Sequence, residues 1–272
     1  MSASYFLNLS AAKAAGGSKC ERNTISHSLI LSAARAADGS IMKKAGIVGG
    51  LGPASTLDYY RDIIAGYMEQ ANTDQYPALV IDSINMTEML GYLAKEDLDY
   101  LAAMLLDSIH NLAQAGADFA VIASNTPHIV FDAVKEKSEL PLVSIIEATC
   151  IYAKKMNYKK VLVLGTMFTM SNGLYTLALE KYGMEGIVPD TEGKNMVHNI
   201  IFPKLENGIV VPEDKEKMLQ LIDRMVIEYK ADAVILGCTE LPLMIHQEDI
   251  ATPVLNTAAI HVEAVIGELL AE

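Results

Sequence analysis

Ala117-Asp118-Phe119-Ala120-Val121-Ile122-Ala123-Ser124-Asn125-Thr126 is answered 114 positions later by Ala231-Asp232-Ala233-Val234-Ile235-Leu236-Gly237-Cys238-Thr239-Glu240. Each copy is an apolar run of strand length, then a small residue, then a nucleophile-type side chain, then polar groups. A second pair agrees: Lys43-Lys44-Ala45-Gly46-Ile47-Val48-Gly49-Gly50 matches Lys159-Lys160-Val161-Leu162-Val163-Leu164-Gly165-Thr166 at an offset of 116. Two matches at nearly one offset imply two similar halves, each opening with a strand and a glycine loop. The repeat sets Ser124 against Cys238.

Outward from these phrases the pattern alternates strand and helix. Short buried strands are expected at Ala45–Val48, Tyr76–Ile84, Phe119–Ala123, Pro141–Ser144, after Lys159, at Ala233–Leu236 and at Pro253–Leu255. Helices are expected from Ser55 or Thr56, as cap, to Gln70, over about 97–114, after the Ser124–His128 segment through Lys135, and over about 147–156, 173–182, 195–207, 214–229 and 257–270, with Gly165–Ser171 a loop. Strands covered on both faces by helices mean parallel sheets. The fold class is therefore α/β, with two pseudo-symmetric Rossmann-like halves. Residues 42–141 plus 253–272 are assigned to the first and 142–252 to the second. Ligands of such sheets gather at the carboxyl ends of strands, where both repeated phrases end.

Composition narrows the partners. The chain has 272 residues, 51% of them hydrophobic, and a net charge of −13. That charge argues against nucleic acid, which needs clustered Lys and Arg. No apolar run approaches the roughly 20 residues of a membrane span. Cys20, Cys150 and Cys238 form no CxxC pair and no metal spacing, an odd and sparse set that suits a reducing cytoplasm. Cys150 lies in an apolar stretch and reads as a core residue. Residues 1–41 are rich in Ala and Ser; they read as a targeting peptide, an added leader or an upstream start, and are expected to be disordered or to form a loose helix around Ile25–Ala37.

The chemistry concentrates at the strand ends. A cysteine before a helix would face backbone N–H groups and the positive end of the dipole, which lower a thiol's pKa. Cys238 would then act as nucleophile or general base, against the alternative of a small buried hydrophobe. The Ser124 hydroxyl needs a partner to take its own proton; His128, four residues on, is that partner or else a structural cap. Asn125, Thr126 and Thr239 offer amide, hydroxyl and N–H donors for a carboxylate, and Thr166 and Thr169 can add more. Gly49-Gly50-Leu51-Gly52 fails the dinucleotide spacing, so Gly50 and Gly52 are read as letting backbone approach a small ligand. No HExxH, no Walker-type phosphate loop and no Schiff-base lysine motif occurs.

Gly49-Gly50-Leu51-Gly52-Pro53 with Ser55-Thr56, the segment Asn125-Thr126-Pro127-His128, and Gly237-Cys238-Thr239-Glu240-Leu241 together resemble the aspartate/glutamate racemase family, in order and at its spacing, over about Met42–Glu272. The resemblance implies a cofactor-independent amino-acid racemase, habitually a homodimer, with its active site in the cleft between two α/β halves. It implies that one thiolate removes the α-proton while an opposed thiol returns one to the other face. It places Cys238 at the second of these positions, with Asn125, Thr126 and Thr239 on the α-carboxylate. Two positions depart from the pattern. The first cysteine is Ser124, a hydroxyl that returns a proton more readily than it takes one. The usual side-chain-binding lysine aligns with Glu206, and Lys204 would face elsewhere. An acid there would repel aspartate or glutamate and suit a cationic or neutral side chain. Two rivals stand beside this reading: a single-cysteine decarboxylase of malonate-type acids, and a catalytically inactive amino-acid-binding relative.

Overall fold

Residues 42–271 are described in a computed structural model, and the expectation for 1–41 lies outside them. The first half runs β1 (Lys44–Gly49), α1 (Pro53–Gln70), β2 (Ala78–Ser83), α2 (Met86–Ala94), α3 (Leu98–Gln114), β3 (Phe119–Ile122), α4 (Phe131–Lys137) and β4 (Leu142–Val143). The second runs α5 (Ile145–Lys155), β5 (Lys160–Leu164), α6 (Met167–Ser171), α7 (Thr176–Lys181), β6 (Glu185–Ile187), α8 (Thr191–Ile201), α9 (Pro212–Tyr229), β7 (Ala233–Leu236), β8 (Val254–Asn256) and α10 (Thr257–Leu270). Two four-stranded parallel sheets result, in the orders β2-β1-β3-β4 and β6-β5-β7-β8. The internal repeat is thus a repeat of topology.

It is also a repeat of register. Ala45 lies opposite Phe119 and Val161 opposite Ala233. The aspartate of each phrase does the same work: Asp118 Oδ2 accepts the Lys44 N–H at 2.6 Å, and Asp232 Oδ2 accepts the Lys160 N–H at 2.9 Å. Each carboxylate pins the start of the neighbouring strand, so the register of the central pair is set from the residue before the apolar run.

Alternation along each central strand feeds two cores. Ala45 and Ile47 of β1 join Phe119 and Val121 of β3 against α1 and α10. Val48, Ala120 and Ile122 turn the other way, onto Leu101, Leu105, Ile109 and Leu112 of α3. Each such aliphatic, fully buried, contributes about 1.5–3 kcal/mol. The helices after the last strand of each half exchange sheets. Ile145, Ile146, Cys150 and Ala153 of α5 pack with Val161, Val163, Ala233 and Ile235, whereas Val262, Val265, Ile266 and Leu269 of α10 pack under β1 and β3.

Strand pairing corrects the expected boundaries in detail. Leu142 and Val143 pair with β3 in the first sheet, and Val254–Asn256 pair with β7 in the second. Both were expected as strands, but segments so short carry no pattern that says which sheet they join. Other local differences have local causes. Helix α1 starts at Pro53, with Gly52 as its N-cap, because proline's fixed φ suits the first helical position. Thr56 instead accepts the Gly50 N–H at 2.9 Å, and Ser55 bonds the Ala123 carbonyl. Helix α8 begins early, capped by Asp190, and stops at Ile201 before Pro203, so Glu206 sits on a separate 3-10 turn, Leu205–Asn207. Part of the expected loop at 165–171 is the short helix α6, capped by Thr166.

Candidate active site

Strands β3 and β7 end alike. The Ala123 N–H bonds the Val48 carbonyl at 3.0 Å, and the Gly237 N–H bonds that of Leu164 at 2.7 Å. One residue further, Ser124 and Cys238 leave their sheets and line a single cavity. The expected Gly52, Asn125, Thr126, Thr166, Glu206 and Thr239 line it too, together with Leu51, Met86, Met89, Leu90 and Glu240. The two halves meet closely here: a Cβ built on Gly52 would stand 3.4 Å from Glu240 Oε1.

The environment of Cys238 reverses the expectation for its thiol. No α-helix follows it, only the 3-10 turn Leu241–Leu243, so the expected dipole of a following helix is absent. Burial pushes the thiol pKa well above its ordinary value, and the nearby Glu240 carboxylate pushes in the same direction. The thiol donates to Glu240 Oε2 at 2.9 Å, and the Thr239 hydroxyl donates to the same oxygen at 3.0 Å. The resting group is a protonated thiol beside a carboxylate able to accept its proton. Cys150, buried in the second core, has its pKa pushed up to about 12 by burial and Glu147.

His128 does not reach the Ser124 hydroxyl. Its Nδ1 donates to the Ser124 carbonyl at 2.9 Å, and its ring stacks on Phe131 with centroids 4.9 Å apart. Nε2 is buried without a partner, and burial lowers the imidazole pKa to about 3. The histidine is a neutral brace for the loop, which corrects the activating alternative.

Asn125 is held from both ends. Tyr175 donates to its Oδ1 at 2.6 Å, and its Nδ2 donates to Thr257 Oγ1 at 3.3 Å. Thr257 passes its own hydrogen to the Leu236 carbonyl at 2.9 Å. These contacts fix the amide orientation and leave one N–H of Nδ2 free of them. Thr169 is buried outside the lining; its N–H and hydroxyl meet Thr166 Oγ1 at 3.3 and 3.1 Å, so it steadies Thr166. Gly50 also lies outside the lining. Its φ is +79°, and a Cβ there would collide with the Ile84 carbonyl oxygen, so its need for glycine comes from the chain, not from a ligand.

Sequence reasoning missed Met86, Met89 and Leu90 because helix α2 was not foreseen; its signal was Asn85, whose side chain accepts from the Thr87 and Glu88 N–H groups. Glu240 stood in the repeated phrase but received no role. Among the described residues no cluster of His, Cys, Asp and Glu could hold a metal ion, and no helix is long and apolar enough to cross a membrane.

Residues 48–265 match the family model described as Asp/Glu/hydantoin racemase. The chain belongs to that family. It is an amino-acid racemase, hence an isomerase. It is 24% identical over 232 residues to the broad specificity amino-acid racemase RacX of Bacillus subtilis (strain 168), covering 83% of this chain and 98% of the relative. The crystal structure of an aspartate racemase homologue from Pyrococcus horikoshii OT3 superposes with a TM-score of 0.76 at 39% identity, covering 85% of this chain and all (100%) of that one. The Picrophilus torridus aspartate racemase gives 0.66 at 26%, covering 84% and 94%. Glutamate racemase from Aquifex pyrophilus, with a TM-score of 0.55 and 21% identity over 84% of each chain, shares the two-domain fold.

Proposed function

We propose that this racemase inverts a free amino acid without a cofactor, with Cys238 and Ser124 as proton carriers on opposite faces of the α-carbon. The observation that supports this most is their equivalence: each follows the matching strand of its half by two residues, and both open into one cavity. In one direction Glu240 takes the Cys238 thiol proton, and the thiolate removes the α-hydrogen. The electron pair moves into the substrate carboxylate as an enediolate. The free N–H of Asn125, with Thr126, Thr166 and Thr239, holds that carboxylate. The Ser124 O–H then delivers its proton to the opposite face; Ser124 regains a proton from water while Glu240 gives up to water the one it took, so the cycle closes with Cys238 as thiol, Ser124 as hydroxyl and Glu240 as carboxylate.

The charge of the lining weighs against the decarboxylase alternative. A malonate-type diacid would enter a cavity whose charged side chains are Glu206 and Glu240.

The test is α-hydrogen exchange in deuterated water, followed separately for each enantiomer. Cys238→Ala should abolish exchange in a folded protein. Ser124→Cys should accelerate at least tenfold the exchange of the enantiomer whose α-hydrogen faces position 124, because a thiol ionises near neutrality and a serine hydroxyl does not. The other enantiomer should change less. A folded Cys238→Ala protein retaining more than a few per cent of exchange would remove the assignment, as would silence of Ser124→Cys in both directions.

A further inference from the structure

We propose that the side chain received by this cavity is cationic, of the diamino-acid class with a methylene stem and a terminal ammonium, and that Glu206 is its counter-charge. The inference rests on the racemase reading and specifies its substrate.

Charge in the cavity is all of one sign. The lining holds two carboxylates, Glu206 and Glu240, and no Lys, Arg or His. The nearest cation along the chain, Lys204, is bound elsewhere, its ammonium on Asp214 of α9. Glu240 is already occupied, accepting from the Cys238 thiol and the Thr239 hydroxyl. Glu206 receives no hydrogen bond or ion pair from another described residue, although it is partly buried, and its pKa is raised to about 7 by burial and by Glu240. A half-desolvated carboxylate facing a second carboxylate gains most from a bound positive charge.

The rest of the wall suits an aliphatic stem. Met86, Met89 and Leu90 project from one helix at spacings of three and four, and the unbranched thioethers adapt to a flexible chain. A substrate with a side-chain carboxylate would add a third negative charge with no cation to meet it. Lysine and ornithine present both features, four or three methylenes and an ammonium.

The experiment compares lysine, ornithine, norleucine and aspartate by α-hydrogen exchange and, in parallel, by calorimetric binding to the full chain. Norleucine keeps the stem and lacks the charge. For the unaltered protein, kcat/KM for lysine or ornithine should exceed that for norleucine at least tenfold and that for aspartate at least a hundredfold. Glu206→Gln should bring lysine down to the norleucine level, the loss of kcat/KM for lysine exceeding that for norleucine at least fivefold. Glu206→Lys should raise aspartate turnover above that of lysine. Equal loss for lysine and norleucine in Glu206→Gln, or aspartate as the better substrate of the unaltered protein, would overturn the proposal. Glu206-dependent binding of lysine with no exchange of any amino acid would leave the charge assignment standing and remove the racemase mechanism. Exchange of norleucine or aspartate in preference to lysine would do the reverse.

Discussion

At the scale of single residues, Cys238 shows how burial overrides local sequence. A strand-end cysteine followed by Thr and Glu suggests an acidified thiol, yet Cys238 is enclosed and its immediate neighbour is an anion. Glu240 therefore has two opposed effects. It makes the thiol harder to ionise and supplies the oxygen to which the proton can move. Glu240→Gln separates them. Removing the negative charge should shift the pH profile of Cys238 alkylation by iodoacetamide downward, while α-hydrogen exchange falls at least tenfold. The alkylation profile is read by mass spectrometry of the Cys238 peptide. A profile that stays in place or moves upward would mean that Glu240 does not govern the thiol.

At the scale of elements, three termini converge on one amide. Asn125 precedes the 3-10 turn Thr126–Val130, Tyr175 precedes α7, and Thr257 opens α10. None of these ends is long in itself, and their mutual hydrogen bonds fix the amide of Asn125, a residue of the cavity lining. Tyr175→Phe removes the donor to Oδ1 and leaves a buried acceptor without its partner, at a cost of about 1–3 kcal/mol. Lowering of Tm by several degrees should accompany it. If the amide holds the substrate carboxylate, KM should also rise severalfold with a smaller change in kcat, because the amide is freed to turn. Loss of stability with KM unchanged would restrict Tyr175 to a structural part.

At the scale of the molecule, two buried histidines make stability depend on acid. His261 of α10 accepts from the Tyr59 hydroxyl at Nδ1, 2.7 Å away, and donates from Nε2 to the Val143 carbonyl at 2.9 Å, tying α10 to α1 and β4. Burial lowers its pKa to about 4 and that of His128 to about 3. The unfolded chain takes up these protons near pH 6.5, so it binds more protons than the folded state below that value. Stability is full above about pH 6.5 and falls as the pH drops toward 4, by about 1.4 kcal/mol per unit for each histidine. Tm should therefore fall steeply between pH 6.5 and 5, and His261→Gln, which cannot take up that proton, should flatten the slope even if its Tm is lower throughout. An unchanged slope in His261→Gln would show that the acid sensitivity lies elsewhere.

The repeated phrase contained much of the architecture. Strand, aspartate and strand-end residue recur because each half must solve the same packing problem, and the period of the apolar positions marks buried parallel strands wherever they occur. Ser124, Cys238, Asn125, Thr126 and Thr239 could be picked out from sequence since a strand's carboxyl end is a fixed place in an α/β sheet. What the sequence did not contain were quantities set by distant neighbours. The exchange of α5 and α10 between sheets, the lock on Asn125 by residues 50 and 132 positions away, and the raised pKa of the Cys238 thiol all arise from burial and long-range contact. Periodicity reports which face of an element is apolar. Only the folded chain decides what that face meets, and the ionisation of a group follows from what surrounds it.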